Sequence, residues 1–339
     1  MVIESKNSHY ITIACDLTQK DQQMYSFPNW INERLQDKFS GQVRLISFDV
    51  NNPNSELESE IDIYWGNFFT VDLLSRMPKL KWIHCASVGV NRAAIPEVAK
   101  KNILVTNSRG MLSAPVSAVV IGMICSLARG FHYAWKLRSQ GKLDRYHFED
   151  HFEEMHDLEG ETCLIVGLGD SGTRVAKVCS ALGMRVTAIK NRSNKLPLYV
   201  DRIYSLKDLE LAVFDADYIV NLLPLTPLTR NIFDDLIFNA MKCTAFFINV
   251  GRGQTVDEQA LIQALKEKKI AGAGLDVFAA EPLEKSSELW QLPNTILMPH
   301  VACLSVNYWN KQISLLEKNI HLFMANKPLI NNIDMYLGY

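Results

Sequence analysis

The sequence predicts an α/β protein built from two doubly wound parallel-sheet domains. Three observations predict it. Short β-rich runs alternate with helical patterns in both halves of the chain, a glycine-rich turn follows an apolar run near the middle, and a polar stretch separates the two alternations. Strands that alternate with helices argue for parallel sheets covered on both faces.

In the first half, residues 10–15, 42–48, 61–65, 81–85 and 103–106 read as strands. Between the first two, Trp30, Ile31, Leu35 and Phe39 recur at helical spacing after Asn29, a suitable N-cap. One long helix is expected over 115–141, with Pro115 in its first turn. The His- and acid-rich stretch 146–156 reads as a solvated crossing between domains. Its His147, His151 and His156 lack the spacing of metal ligands, so no metal is expected.

Strands at 162–166, 185–189, 218–222, 245–249, 272–275 and 296–298 then alternate with helices over 173–182, 205–213, 234–241 and 257–267. A helical pattern from Val306 returns the chain towards its start. The expected division is 1–110 with 304–339 as one domain, and 111–303 as a second domain inserted between them.

Composition narrows the partners. Lys plus Arg number 35 against 37 for Asp plus Glu, a balance that leaves no electrostatic footprint for nucleic acid or an anionic membrane. The longest apolar stretch, 116–127, is interrupted by Ser117, Gly122 and Ser126 and is too short to span a bilayer. The seven cysteines are scattered singly, as expected of reduced thiols in the cytoplasm, and the polar residues 1–7 carry no apolar signal segment.

The strongest local signal is Gly167-Leu168-Gly169-Asp170-Ser171-Gly172, which follows the apolar run 163–166 and opens a helix. In that context the first glycine permits a tight turn, the second lets backbone amides approach a pyrophosphate, and the third lets helix and strand pack closely. The phosphate then meets the positive end of the helix. The next strand selects the dinucleotide. Where an acid would bind a ribose 2′-hydroxyl, the chain places Asn191 followed by Arg192, Ser193 and Lys195. Cations and a hydroxyl suit a 2′-phosphate, so NADP(H) is the expected cofactor, with NAD(H) as the alternative.

Three later segments complete a pattern: Asn249-Val250-Gly251-Arg252-Gly253, Asp276-Val277-Phe278-Ala279-Ala280-Glu281-Pro282 and Pro299-His300-Val301-Ala302. In this order after the glycine turn, with Leu223-Pro224-Leu225-Thr226 between, the chain resembles the D-isomer-specific 2-hydroxyacid dehydrogenases. Within that family, the basic turn and the Gly110-Met111 region are similar to NADPH-dependent glyoxylate/hydroxypyruvate reductases. The resemblance implies a flavodoxin-like substrate domain, a Rossmann dinucleotide-binding domain, and an active site in the cleft between them. It also implies a cytoplasmic homodimer acting on a small 2-keto or D-2-hydroxy acid, with Phe131, Trp135 and Leu137 available to a two-fold interface.

Reduction of a 2-keto acid needs a cation for the carboxylate and carbonyl, a proton donor at the carbonyl oxygen, and a positioned hydride. Arg252 offers the first and His300 the second, while the resemblance pairs Glu281 with His300. It also assigns the backbone amides of Val88 and Gly89 to the substrate carboxylate. Leu223, Pro224, Thr229, Val250, Gly251 and Asp276 join the glycine turn as cofactor residues. Arg109, Met111, Trp65 and Leu304 are further candidates for the substrate pocket. Asp170 stands where many relatives carry Arg. Two readings compete: a phosphite- or formate-type dehydrogenase on the same fold, and a dinucleotide-sensing, corepressor-like scaffold.

Overall fold

Parallel strands buried on both faces must be apolar nearly throughout, and the inner runs of the first half come nearest that demand. The computed structural model describes residues 10–17, 27–49, 54–67, 69–90, 95–190 and 196–333. β1 (Ile11–Asp16), β2 (Val43–Ser47), β3 (Ile63–Gly66), β4 (Trp82–Cys85) and β5 (Leu104–Asn107) form a wholly parallel sheet in the order β2-β1-β3-β4-β5. The crossovers carry α1 (Trp30–Lys38), α2 (Ser55–Glu58), α3 (Val71–Arg76) and α4 (Ile95–Lys100). Every residue of β3 and β4 is buried.

The second sheet is reached through three helices where one long helix and a solvated crossing were expected. α5 (Ser113–Ala128) ends before Gly130, whose φ of 64° is left-handed, and α6 (Phe131–Ser139) leaves at 76° to it. A left-handed residue cannot continue the α-helical path, so the single helix of the sequence reading becomes two. The polar stretch that follows folds as α7 (Arg145–Asp150) and a 3-10 turn over Phe152–Glu154. Asp144 starts α7 by accepting the Tyr146 amide at 3.0 Å.

There follow β6 (Thr162–Val166), α8 (Asp170–Ala181), β7 (Arg185–Ile189), β8 (Arg202–Tyr204), α9 (Leu209–Phe214) and β9 (Tyr218–Asn221). Then come α10 (Asp235–Ala240), β10 (Phe246–Asn249), α11 (Glu258–Lys266), β11 (Gly272–Leu275) and β12 (Thr295–Leu297). The seven strands are parallel in the order β12-β11-β10-β9-β6-β7-β8. β8 was not foreseen, because three residues on a sheet edge are too few to show a period. α8 begins at Asp170, three residues ahead of its expected start.

Alternation sorts the core into two layers. Leu164, Val166, Ile219 and Phe247 belong to one cluster, while their chain neighbours Cys163, Ile165, Val220 and Ile248 belong to another. Side chains of a strand point to opposite faces in turn, so the sheet carries a core on each. α12 (Tyr308–Met324) then closes the chain onto the first sheet, and the two compact units are 1–111 with 305–339, and 112–304. All seven cysteines are free thiols. Among the described residues no single helix is long and apolar enough to cross a membrane; the bent pair α5 and α6 passes on length and composition only.

One ion cluster ties α12 to α1. Glu317, 2% exposed, accepts from Arg34 at 2.6 and 3.0 Å and from Lys38 at 2.8 Å. Burial alone would raise the Glu317 carboxyl, but the hydrogen bonds from Arg34 and Lys38 outweigh it and hold the carboxyl below its ordinary value. A carboxyl depressed in the folded state stabilises the fold above its unfolded pKa, and that contribution fades as the pH falls through the folded value. Glu317→Gln is therefore expected to lose about 2 kcal/mol near neutral pH, the worth of charge-assisted bonds. Urea unfolding of both proteins should show the gap closing as the pH is lowered into the acidic range; a pH-independent gap would mean the charge is not what stabilises.

Candidate active site

Because the seven strands of the second sheet are parallel, the turns that leave β6, β9, β10, β11 and β12 emerge along one edge. At β6 the three glycines are distinguished by what a side chain would meet. Gly167, at φ 108°, lies against the Leu222 backbone, with 3.0 Å from its virtual Cβ to the Leu222 carbonyl carbon. A Cβ on Gly172 would sit 2.2 Å from the Gly167 carbonyl oxygen, so only hydrogen fits between helix and strand. A Cβ on Gly169 would meet nothing within 4 Å. That open side, at the start of α8 where the first-turn amides lack intrahelical acceptors, suits a pyrophosphate. Asp170 and Ser171 stand in this first turn; Asp170 is exposed, and the Ser171 hydroxyl lies 3.4 Å from that of Ser113.

At the ends of β9 and β10 a buried network joins two turns. The Asn221 side-chain amide donates to Asn249 Oδ1 at 3.0 Å and to Thr255 Oγ1 at 2.7 Å. Asn221 Oδ1 accepts the Leu223 amide, and Asn249 Oδ1 accepts the Gly251 amide, each at 3.1 Å. The Val250 amide bonds to the Asn221 carbonyl at 3.2 Å. Leu223, Val250 and Gly251 therefore offer a ligand their surface and carbonyls, while their amides are already engaged. Thr229 likewise turns inward, donating to the Pro224 carbonyl at 2.6 Å and accepting from the Thr226 amide at 2.8 Å. Thr255 Oγ1 donates to the Arg252 carbonyl at 2.6 Å, and Arg252 Nη1 donates to the Gly251 carbonyl at 2.7 Å. Among the described residues no carboxylate pairs with the Arg252 guanidinium, so it keeps donors for an anion.

The turns after β11 and β12 bring His300, Glu281 and Asp276 together. His300 Nδ1 lies 2.7 Å from Glu281 Oε2, and Glu281 Oε1 accepts the Phe278 amide at 3.0 Å. With Nδ1 on the carboxylate, Nε2 is the ring nitrogen available to a substrate. Asp276, 1% exposed, accepts the Val301 and Ala302 amides at 2.9 and 3.0 Å, and its carbonyl accepts the His300 amide at 2.8 Å. Burial raises the Asp276 carboxyl against the pull of these two amides. Its geometry makes it the anchor of the His300 turn, in addition to any contact with a cofactor. His300 sits at φ 55°, a left-handed conformation that costs on the order of 1–3 kcal/mol. Three bonds to Asp276, at roughly 1 kcal/mol each, are enough to hold it.

In the other unit, the turn after β4 is one-sided. The carbonyls of Cys85, Ala86, Ser87, Val88 and Gly89 all accept hydrogen bonds from within the chain. Among the described residues nothing accepts from the amides of Ser87, Val88 or Gly89, and Val88 and Gly89 are exposed. Successive free amides of this kind receive anions.

Some expectations fall elsewhere. Asn191, Arg192 and Ser193 lie outside the described residues. Trp65 is fully buried among Phe27 and Trp309 and is a core residue, not part of a substrate pocket. Sequence reasoning missed Asn221, Asn249 and Thr255 as organisers of the turns, and also Cys303, whose thiol is pushed up by burial and by Asp276, with Arg252 pulling it down. The signal was present for Asn221 and Asn249: each is the one polar residue ending an apolar strand.

A glycine cradle and a His–Glu pair on the strand ends of a Rossmann unit define a nicotinamide-dependent oxidoreductase. Comparison with known proteins gives the family. The D-isomer specific 2-hydroxyacid dehydrogenase NAD binding domain matches residues 121–302. Glyoxylate/hydroxypyruvate reductase B from Klebsiella pneumoniae subsp. pneumoniae is 31% identical over 280 residues, covering 81% of this chain and 86% of that protein. Glycerate dehydrogenase from Methylorubrum extorquens is 35% identical over 262 residues, covering 76% and 80%. The crystal structure of an NADPH-dependent glyoxylate/hydroxypyruvate reductase from Sinorhizobium meliloti, in complex with NADP and sulfate, superposes with a TM-score of 0.76 at 25% identity, covering 97% of this chain and all of that one (100%). The chain belongs to the D-isomer specific 2-hydroxyacid dehydrogenases.

Two of the glycines make separable predictions. Gly172→Ala should cost roughly 1–3 kcal/mol of stability, the range for overpacking, seen as a lowered Tm. Gly169→Ala should leave Tm unchanged and weaken dinucleotide binding about tenfold, the loss of one charge-assisted backbone bond. Calorimetric titration with NADPH that found Gly169→Ala binding as the parent does would remove the cradle reading.

Proposed function

We propose that this enzyme reduces glyoxylate or hydroxypyruvate to the corresponding 2-hydroxy acid, with NADPH preferred and NADH as the weaker reductant. The observation that carries it is the 2.7 Å contact of His300 Nδ1 with Glu281, which fixes the imidazole so that Nε2 serves the substrate. The dinucleotide, when bound in the cradle of Gly167, Gly169, Asp170, Ser171 and Gly172, supplies the hydride to the carbonyl carbon. The carbonyl oxygen takes its proton from His300 Nε2, and Glu281 stabilises the imidazolium from which it leaves. Arg252 holds the carboxylate and polarises the carbonyl through its fork of donors. The amides of Val88 and Gly89 are read as the backbone grip for a substrate carboxylate. Leu223, Pro224, Thr229, Val250, Gly251 and Asp276 shape the seat of the dinucleotide. The scaffold and the phosphite- or formate-type readings draw no support from the relatives.

Preference for NADPH rests on Arg192 and Ser193 beside Asn191, where a carboxylate would repel a 2′-phosphate, and on the NADP held by the Sinorhizobium meliloti enzyme. The seven free thiols accord with a place in the cytoplasm. We place a homodimer contact on α6, where Phe131 and Trp135 are 48% and 51% exposed and no residue is buried.

Absorbance at 340 nm with glyoxylate, hydroxypyruvate, pyruvate and longer 2-keto acids tests the reaction. Turnover is expected with glyoxylate and hydroxypyruvate, and His300→Ala should lower kcat by about a hundred- to ten-thousand-fold, the range for a lost general acid. Arg192→Ala should raise the NADPH KM about tenfold with the NADH KM unmoved, the worth of one charge-assisted bond. Tight dinucleotide binding without turnover on any 2-keto acid would instead favour a sensing scaffold. For the assembly, sedimentation of Trp135→Glu should give a monomer where the parent gives a dimer; identical masses would place the contact elsewhere.

A further inference from the structure

Among the described residues nothing accepts from the amides of Val88 and Gly89, while every carbonyl from Cys85 to Gly89 is taken. Two of the donors come from buried side chains remote in sequence. Gln312, 0% exposed on α12, donates Nε2 to the Ala86 carbonyl at 2.6 Å. Its Oε1 accepts from Ser108 Oγ at 3.2 Å, and the same hydroxyl lies 2.9 Å from the Cys85 carbonyl. Asn107, at the end of β5, donates Nδ2 to the Val88 carbonyl at 2.6 Å while its Oδ1 accepts the Arg109 amide at 3.2 Å. Asn331 braces Asn107 in turn, bonding to the Asn107 carbonyl at 3.1 Å and the Arg109 carbonyl at 2.8 Å. Ser87 completes the turn from inside, with its hydroxyl on the Gly89 carbonyl at 2.8 Å.

A peptide group is rigid, so fixing a carbonyl also fixes the amide of the next residue. The Gln312 bond to the Ala86 carbonyl sets the Ser87 amide, and Ser108, held by Gln312 Oε1, donates its own amide to the Ser87 carbonyl at 3.1 Å and so sets the Val88 amide. The Asn107 bond to the Val88 carbonyl sets the Gly89 amide, one of the two proposed to hold the substrate. We infer that Gln312 and Asn107 are positioning residues for the substrate carboxylate, keeping the carbonyls of 85–89 engaged within the chain and the amides of 87–89 presented to an anion. This rests on the reading of Val88 and Gly89 as the carboxylate grip. Neither side chain touches substrate. Each acts through the backbone it clamps.

A grip on the carboxylate is the same before and during hydride transfer, so loosening it raises KM and leaves kcat in place. Steady-state reduction of glyoxylate by NADPH, with Tm measured for each protein, tests this. Asn107→Asp changes the donor to the Val88 carbonyl into an acceptor and keeps the oxygen used by the Arg109 amide. Gln312→Met removes the donor to Ala86 at similar volume. Each is expected to raise the glyoxylate KM about tenfold, the worth of one bond's orientation, with kcat and the NADPH KM little changed. Gln312→Glu adds a signature that a merely structural role would not give. Its carboxyl donates to the Ala86 carbonyl only when protonated, so its glyoxylate KM, relative to the parent's at each pH, should fall as the pH is lowered. If Gln312→Met does not fold, Asn107→Asp and Gln312→Glu carry the test.

Val88→Pro, which deletes one gripping amide, separates the inference from the reading beneath it. Glyoxylate KM raised in Val88→Pro but unmoved in the folded Asn107 and Gln312 variants would overturn the positioning role alone. KM unmoved in Val88→Pro as well would overturn the carboxylate grip and the inference with it. An equal loss in glyoxylate KM, NADPH KM and kcat would show general damage and also count against the inference.

Discussion

Parallel pairing is the constraint on which the molecule is organised. Parallel strands admit no hairpin, so each must be followed by a crossover that returns the chain to the same starting edge. The seven strands of β12-β11-β10-β9-β6-β7-β8 therefore release their turns along one edge, and that edge collects the glycine cradle, the Arg252 turn and the His300 turn. The interior cannot host this chemistry. Its strands are apolar and its two core layers are filled, so polar groups gather where the strands end.

Those ends need polar residues below the surface, and in two networks every buried side-chain polar atom has a partner. Asn221, Asn249 and Thr255 lie buried between two turns and exchange bonds with one another and with the backbone they hold. Gln312, Asn107 and Ser108 do the same for the turn after β4. A satisfied network costs little, whereas an orphaned partner in such a place costs about 1–3 kcal/mol. The two networks thus exchange a modest desolvation penalty for turns with one conformation. Asp276 shows the balance at a single residue: burial acts on its carboxyl more strongly than the Val301 and Ala302 amides do, yet those amides fix the turn that carries His300.

Much of this was legible in the chain. Apolar runs of four to six residues separated by helical periods identify a wound parallel fold. Gly167, Gly169 and Gly172 after such a run state where backbone must come close, and the structure gives each a distinct surrounding. Where prediction went astray, the cause was local. Gly130 looks like any helix-interior glycine until its left-handed φ breaks the path, and β8 is an edge strand too short for a pattern. Trp65 reads as a pocket aromatic by position, but it is buried, and one ring it packs against is Trp309 on α12, more than two hundred residues away.

What the sequence determined by itself was the sheet class, the turn chemistry and the residue types available to a 2-hydroxyacid dehydrogenase. These depend on neighbours within a few positions, where period and turn preference act. Only the tertiary structure decided which of those groups are still available to a ligand. The amides of Leu223 and Gly251 are taken by Asn221 and Asn249, while those of Val88 and Gly89 meet no acceptor among the described residues and Asn107 and Gln312 hold the carbonyls around them. A hydrogen bond between residues 107 and 88, or 312 and 86, leaves no periodic trace along the chain. It exists only once the sheet has brought the partners within 3 Å, so availability is a property of the fold.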